Sequence, residues 1–257
     1  MDKPYDSLEQ HFDLPQIRVV GRDRPLQWLR AGWRDLRENL GASLAYGVIL
    51  SAIGYAILAY TADRPYLFIA AISGFMLIGP LAAAGLYELS RRGEEGERIG
   101  FLGSLRGLAR NADSLAFFGA FLAIALLAWE RLSAILFALF YRGDVDNVTN
   151  FVAGVLAADD NLYFVFAYLM VGAVLALVVF SLSAIAIPML LDRDTDAVTA
   201  AMSSLRAVQV NFDTMALWAL LLVAMIGIGF ATMMIGMVVL LPLAGHATWH
   251  AYRELVR

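Results

Sequence analysis

The sequence predicts an all-α polytopic membrane protein, a bundle of six transmembrane helices arranged as three two-helix repeats with amphipathic helices beside the membrane. Three observations carry that prediction. Of the 257 residues, 60% are hydrophobic and only 16% charged, whereas soluble domains carry roughly 25% charged residues, so lipid must solvate much of this surface. The run Thr214–Tyr252 holds no Asp, Glu, Lys or Arg over 39 residues. As one helix it would be about 58 Å long against a hydrocarbon core of about 30 Å, so it has to be two spans joined by a tight turn. Divided in this way, it becomes the third copy of a unit met twice earlier.

Residues 1–16 show no periodicity and are expected to form a mobile cytoplasmic tail ahead of one membrane domain, 17–257. The first 39 residues are largely polar and include six Arg, so no cleavable leader is apparent and the first span is expected to direct insertion. The segment before it reads as an interfacial helix. Pro25 suits a first helical turn, and Leu26, Leu29, Trp33, Leu36 and Leu40 recur at steps of three and four, with Arg30, Arg34 and Arg37 to one side. Such a helix either lies flat with its arginines on anionic headgroups or packs its stripe on the protein's own spans. Spans are expected near 42–61, 66–88, 114–131, 170–191, 213–229 and 231–251, the last two joined by a turn around Gly227 and Gly229.

Each repeat begins with an Arg five residues before an Asn: Arg34 to Asn39, Arg106 to Asn111 and Arg206 to Asn211. Each then has a span, a later apolar run with one proline (Pro80, Pro188, Pro242), and a charged exit at Glu88–Arg92, Asp192–Arg193 or Arg253–Glu254. The repeats are expected over about 26–92, 99–193 and 197–254, around a pseudo-threefold axis. Aligning Asn111 with Asn39 sets Glu130 and Arg131 at the far interface and leaves an outer insertion of about 132–172. Its apolar segments Leu132–Tyr141 and Leu162–Tyr168 flank the acidic residues Asp144, Asp146, Asp159 and Asp160. Apolar surface outside lipid needs cover, so a helical hairpin that docks a partner through Phe137, Phe140 and Phe164 is expected there. Ser43, Gly47 and Ser51 form a small-residue ridge suited to close helix packing.

Charge sets the orientation. With both termini in the cytoplasm, 16 Lys and Arg lie inside, against Arg64 and Arg142 outside and Arg131 at the interface. That bias places the N-terminus inside under the positive-inside rule. The net charge of −4 carries little information, since acids and bases are segregated along the chain; no nucleic-acid partner is expected, and membrane lipids are the expected surroundings. The absence of cysteine excludes disulfides and thiolate metal or iron–sulfur sites.

Catalytic chemistry is sparse. There is no phosphate-binding glycine loop and no Gly-x-Ser-x-Gly elbow. His246 and His250, four apart, share one helix face near the cytoplasmic end of the last span. If Glu88 and Asp192 met them there, the set would suit zinc or iron; the competing arrangement has both imidazoles donating to those same carboxylates in a purely structural role. No charged residue is expected at any span's midplane, where ion-coupled carriers place them.

Several phrases bear a resemblance. Gly32-Trp-Arg-Asp-Leu36, Ser43-Leu-Ala-Tyr-Gly47, Gly85-Leu-Tyr-Glu-Leu-Ser-Arg-Arg92 after Gly79-Pro80, Ile187-Pro-Met-Leu-Leu-Asp-Arg193 and Gly245-His-Ala-Thr-Trp-His-Ala-Tyr-Arg253 resemble a family of bacterial integral membrane proteins of unknown function. The resemblance covers roughly residues 17–256 and implies an inner-membrane location. Some members are labelled cytochrome c oxidase subunit I-like. That oxidase subunit resembles a twelve-span bundle with six histidine ligands, whereas this chain has three histidines and six expected spans. The sequence thus points to a non-enzymatic protein without cofactor, an accessory or scaffold subunit of a respiratory or other membrane complex. The alternatives are a small-molecule or lipid transporter and, third, a haem- or metal-binding redox protein.

Overall fold

The structure, a computed structural model, describes residues 14–61, 65–140 and 162–257. Expectations placed on the tail up to residue 13, on Arg64, Tyr141 and Arg142, and on the acidic link lie outside the described residues. The described helices are α1 (Arg24–Glu38), α2 (Leu40–Thr61), α3 (Pro65–Ala82), α4 (Ala84–Glu94), α5 (Phe101–Gly107), α6 (Ala112–Phe140), α7 (Leu162–Ser183), α8 (Ala186–Asp192), α9 (Ala197–Val210), α10 (Phe212–Ala231) and α11 (Met237–Leu255). Among the described residues, four helical stretches are long and apolar enough to cross a membrane: α2, α6, α7 continued by α8, and α10.

Proline shapes two of the apolar helices. It lacks the N–H that would bond the carbonyl four residues back. The helix is interrupted at Ala83, three residues after Pro80, and again at Ala184–Ile185, just before Pro188. Helix α11 carries Pro242 without interruption. The Val238 carbonyl, deprived of its bond by Pro242, lies against Gly47 of α2, where a Cβ would stand only 2.0 Å from it. The small ridge therefore lets α2 and α11 approach backbone to backbone, with Ser43 and Ser51 buried beside the contact.

The turn in the long apolar run differs from the expectation. Gly227 and Gly229 lie inside α10, and the chain reverses over 232–236. Met233 and Met234 both take left-handed backbone, at φ 51° and 69°. The Met234 N–H bonds Gly229 O at 2.8 Å and the Met233 N–H bonds Phe230 O at 3.0 Å, the closing pattern of a helix C-terminus. Thr232 completes it by accepting from the Gly236 N–H at 2.9 Å. Gly229 is needed for packing instead, since a Cβ there would strike Met237.

Helix α1 also packs on a different stripe from the one its leucines suggest. Pro25, Trp28, Gly32 and Leu36 are buried, while Leu26, Trp33 and Leu40 point outward. Gly32 admits the backbone of α11 at Ala247, and Trp28 meets Trp218 of α10 edge to face at 5.7 Å. Those two contacts rotate the helix so that an inner face is fixed by α11 and an outer face is left free.

The two ends of the described chain meet. Ile17 and Val256 form an antiparallel bridge, with Arg18 N–H bonded to Leu255 O at 2.8 Å and Arg257 N–H to Gln16 O at 3.1 Å. The pairing sets the two ends side by side at one end of the bundle. Helices α4, α8 and the last turns of α11 pack on one another at that end and form its core. The short helices α5, α9 and α1 lie against α4, α8 and α11 respectively.

Candidate functional site: a buried hydrogen-bond chain and an apolar cavity

Helix α11 is the hub of this end, because its polar residues reach four other helices. The Ser43 hydroxyl of α2 lies 2.8 Å from His246 Nε2, and the Ser90 hydroxyl of α4 lies 2.7 Å from His246 Nδ1. Ser90 donates to Asp35 Oδ2 of α1 at 2.7 Å, and His250 Nε2 bonds the same oxygen at 2.8 Å. Ser43 and His246 have no exposed surface at all. The proton positions follow from counting donors. A hydroxyl has one proton, and that of Ser90 goes to the carboxylate, so His246 Nδ1 must carry its own and donate to Ser90. Nε2 is then an acceptor and receives the Ser43 proton. The result is a directional chain, Ser43 to His246 to Ser90 to Asp35, met at the carboxylate by His250.

Burial raises the Asp35 carboxyl, but the hydrogen bond and charge of His250 and the Ser90 hydroxyl outweigh it, leaving Asp35 below its ordinary 3.8. Around the chain, Glu254 accepts from Trp28 Nε1 at 2.6 Å and pairs with Arg24 at 2.6 Å. Glu94 accepts from Trp249 Nε1 at 3.0 Å and pairs with Arg253 at 3.0 Å.

The four residues considered for a metal fall into separate clusters. Glu88 is buried against Arg91 at 2.7 Å and Arg92 at 3.0 Å. Asp192 accepts from the Tyr252 hydroxyl at 2.6 Å and pairs with Arg253 at 3.2 Å. His246 and His250 meet Asp35 and two serines instead. Among the described residues, no group of three His, Cys, Asp or Glu is placed to hold a metal ion.

Sequence reasoning missed Asp35, Ser43 and Ser90 as partners. Asp35 did carry a signal: it is the one acid on the face of α1 that holds Trp28, Gly32 and Leu36. Of the docking residues, Phe164 is buried against Tyr168 and meets Phe137 at 5.9 Å, and Phe140 alone is exposed. The described parts of the outer insertion are the last turns of α6 and the first of α7, packed together by Ser133–Tyr168 at 2.7 Å and by those rings.

Beyond α11 from the chain lies a cavity of about 390 Å³. It is walled by α3, α7, α10 and α11, and α7 and α10 face each other across it. Pro80, Ala83 and Ala184 place both helix interruptions on its wall, and Leu241 brings in the turn around Pro242. Among the described residues no charged side chain lines it; its polar groups are Tyr87, Ser183 and Thr248, and Tyr87 interacts with Thr248. Leu177 of α7 and Val223 of α10, both exposed, stand at its mouth.

Residues 67–192 match a family described as "predicted integral membrane protein (DUF2189)". The chain is a multi-pass membrane protein. The matched stretch runs from α3 to the end of α8 and includes Ser90, Pro80 and Pro188; Asp35, Ser43, His246 and His250 fall outside it. The description assigns no activity and gives no support to an oxidase label. No curated protein and no solved structure matches the chain.

Proposed function

We propose that the protein is a non-catalytic bacterial inner-membrane protein that takes an uncharged, largely apolar molecule of lipid or lipid-like class into the cavity between α3, α7, α10 and α11, as a small-molecule or lipid transporter does. The observation that carries this reading is the cavity itself, charge-free, with exposed Leu177 and Val223 at its mouth. An apolar cavity of this kind is dry and takes apolar guests. Interrupted helices around a central site are a recurrent feature of carriers. Lipid tails are as apolar as the wall, so hydrophobicity alone gives no selectivity against bulk lipid. Shape, and the hydroxyls of Tyr87, Ser183 and Thr248, would supply it. A photoreactive lipid analogue should label the protein at Ala173–Ala184 and Ala219–Ile226. Ala176→Trp with Ala219→Trp should cut that labelling about tenfold, a loss of roughly 1.4 kcal/mol in binding. Labelling spread evenly over outward residues such as Ile124, and unchanged in the filled variant, would refute the proposal.

Six crossings with both termini in the cytoplasm complete the reading. Ends that pair with each other are not separated by a membrane, which supports an even number, and α3 and the first half of α11 are uncharged apolar helices like the four candidate spans. The 16 basic residues assigned to one side support the orientation. The repeat is supported by two caps. Asn39 closes α1 at φ −116°, ψ 37° and Asn211 closes α9 at φ −118°, ψ 38°. Each side-chain amide donates 3.2 Å to the carbonyl four residues back. Cysteine introduced at position 145 should be labelled from outside and at position 100 only from inside. Labelling of position 257 from the periplasm would overturn the scheme.

A second reading, docking to another membrane protein as an accessory or scaffold subunit, is favoured by α6. Its 29 residues make a helix of about 43 Å, longer than the hydrocarbon core of about 30 Å. Its last turns and the first of α7 expose Ile135, Leu139, Tyr163 and Phe166. Co-purification of a partner that is lost on Ile135→Ser with Phe166→Ser, without loss of insertion, would favour docking over transport.

A further inference from the structure

The outer face of α1 is built differently from the rest of the polar end. Leu26, Arg30, Trp33 and Arg37 succeed one another at steps of four, three and four, so they form a single stripe. All four are exposed, and Arg34 flanks them. The opposite side of the helix is occupied by α11.

Several arginines at this end are committed. Arg22, Arg24, Arg91, Arg92 and Arg253 form ion pairs. Arg30, Arg34 and Arg37 form none with any described residue, and the Arg37 guanidinium sits 5.7 Å over the Trp33 ring. Trp33 is 41% exposed, whereas the other four tryptophans are at most 2% exposed.

The next helix fixes the depth of this stripe. Helix α2, a candidate span, begins at Leu40, two residues after α1 ends, and Leu40 is itself exposed. The stripe therefore runs straight into the lipid-facing side of a span. We infer that this face of α1 is a binding surface for anionic phospholipid headgroups, with the guanidiniums of Arg30, Arg34 and Arg37 on phosphate and with Trp33 and Leu26 in the acyl boundary. Guanidinium pairs with phosphate through two parallel hydrogen bonds, and an indole prefers the headgroup level. Two features favour lipid over a protein partner. The apolar members continue into lipid at Leu40, and α5, packed on another inner helix, repeats the combination with exposed Leu102, Leu105 and Arg106. This surface is independent of the cavity.

The test uses the full chain in phosphatidylcholine vesicles with or without phosphatidylglycerol, with bromine on the acyl chains of one lipid at a time. The exposed indole of Trp33 should dominate the quenching, and Trp33→Phe should remove that part of it. Quenching should be stronger when bromine is on phosphatidylglycerol than on an equal fraction of phosphatidylcholine. Each arginine contributes about 1 kcal/mol at an anionic surface, roughly fivefold in local enrichment. Arg30→Gln with Arg34→Gln and Arg37→Gln should therefore abolish the preference. High salt should abolish it in the unaltered protein, which keeps the test decisive if the triple variant fails to insert. Equal quenching by both brominated lipids, a preference that survives salt or the triple substitution, or protection of Trp33 by a bound protein would each overturn the assignment.

Discussion

Removing the Asp35 carboxylate should reverse the direction of the buried hydrogen-bond chain. In the intact protein Asp35 Oδ2 accepts from Ser90 at 2.7 Å and from His250 at 2.8 Å. In Asp35→Ala both donors lose their acceptor. Hydrogen bonds to charged groups contribute about 1.5–3 kcal/mol each, which sets an upper value near 6 kcal/mol. Ser90 has an escape, however. Its proton can turn to His246 Nδ1 if the imidazole moves its own proton to Nε2 and donates to Ser43, whose own proton must then turn to the carbonyl one turn back in α2 for the buried segment to stay satisfied. His250 is 17% exposed and recovers part of its bond from water. The expected loss is therefore about 2 kcal/mol, mostly at His250, accompanied by a change of His246 tautomer. With only three histidines in the chain, nitrogen-15 NMR of labelled protein in micelles can assign them. His246 should be Nδ1-protonated in the intact protein and Nε2-protonated in the variant, and denaturant titration gives the energy. The pH dependence has a definite sign. A carboxyl held below its ordinary 3.8 contributes stability that is present above that pH and lost as pH falls through the folded value. The intact protein should lose stability below about pH 4, and the variant should lack that component. An Nε2-protonated His246 in the intact protein, or an unchanged tautomer in Asp35→Ala, would refute the reasoning.

Three further outcomes rest on packing. Gly47→Ala places a Cβ 2.0 Å from Val238 O, which is backbone and cannot swing away. It should cost about 3 kcal/mol or more, against the roughly 1–3 of ordinary overpacking, and is measured by denaturation in detergent. Met233→Gly should stabilise by about 1 kcal/mol, because it relieves left-handed backbone at φ 51° and the Met233 side chain is largely exposed. Met234→Gly should destabilise despite the same relief, since that side chain is buried against Gly54, and the two variants measured side by side separate strain from packing.

Much of the candidate site was written in the chain as halves without partners. The four-residue spacing of His246 and His250 placed them on one face of α11. Their partners Ser43, Ser90 and Asp35 stand 203, 156 and 215 residues away from the histidine each bonds. No local pattern encodes such a pairing; it exists because α11 runs between α1, α2 and α4. The phrase from Gly245 to Arg253 stands out in the sequence because one helix there serves several neighbours. Gly245 makes room for Leu86, Gly32 makes room for Ala247, and His246 and Trp249 carry hydrogen bonds.

The sequence by itself determined the solvent and the helices. Few charges and apolar runs too long for one crossing leave a helical membrane protein as the only way to satisfy the backbone. It misplaced the last turn because glycine in a lipid-facing helix serves packing as readily as reversal. The chain turns at Met233 and Met234, where the burial of Met234 outweighs the strain of left-handed backbone. It also could not say what three prolines would do. Pro80 and Pro188 accompany interruptions, while Pro242 is accommodated by a glycine on the neighbouring helix. The cavity belongs to tertiary structure alone, and so does the choice of which face of α1 is left outward. A cavity is the space several helices fail to fill, and a helix's free face is fixed by whichever neighbour takes the other one.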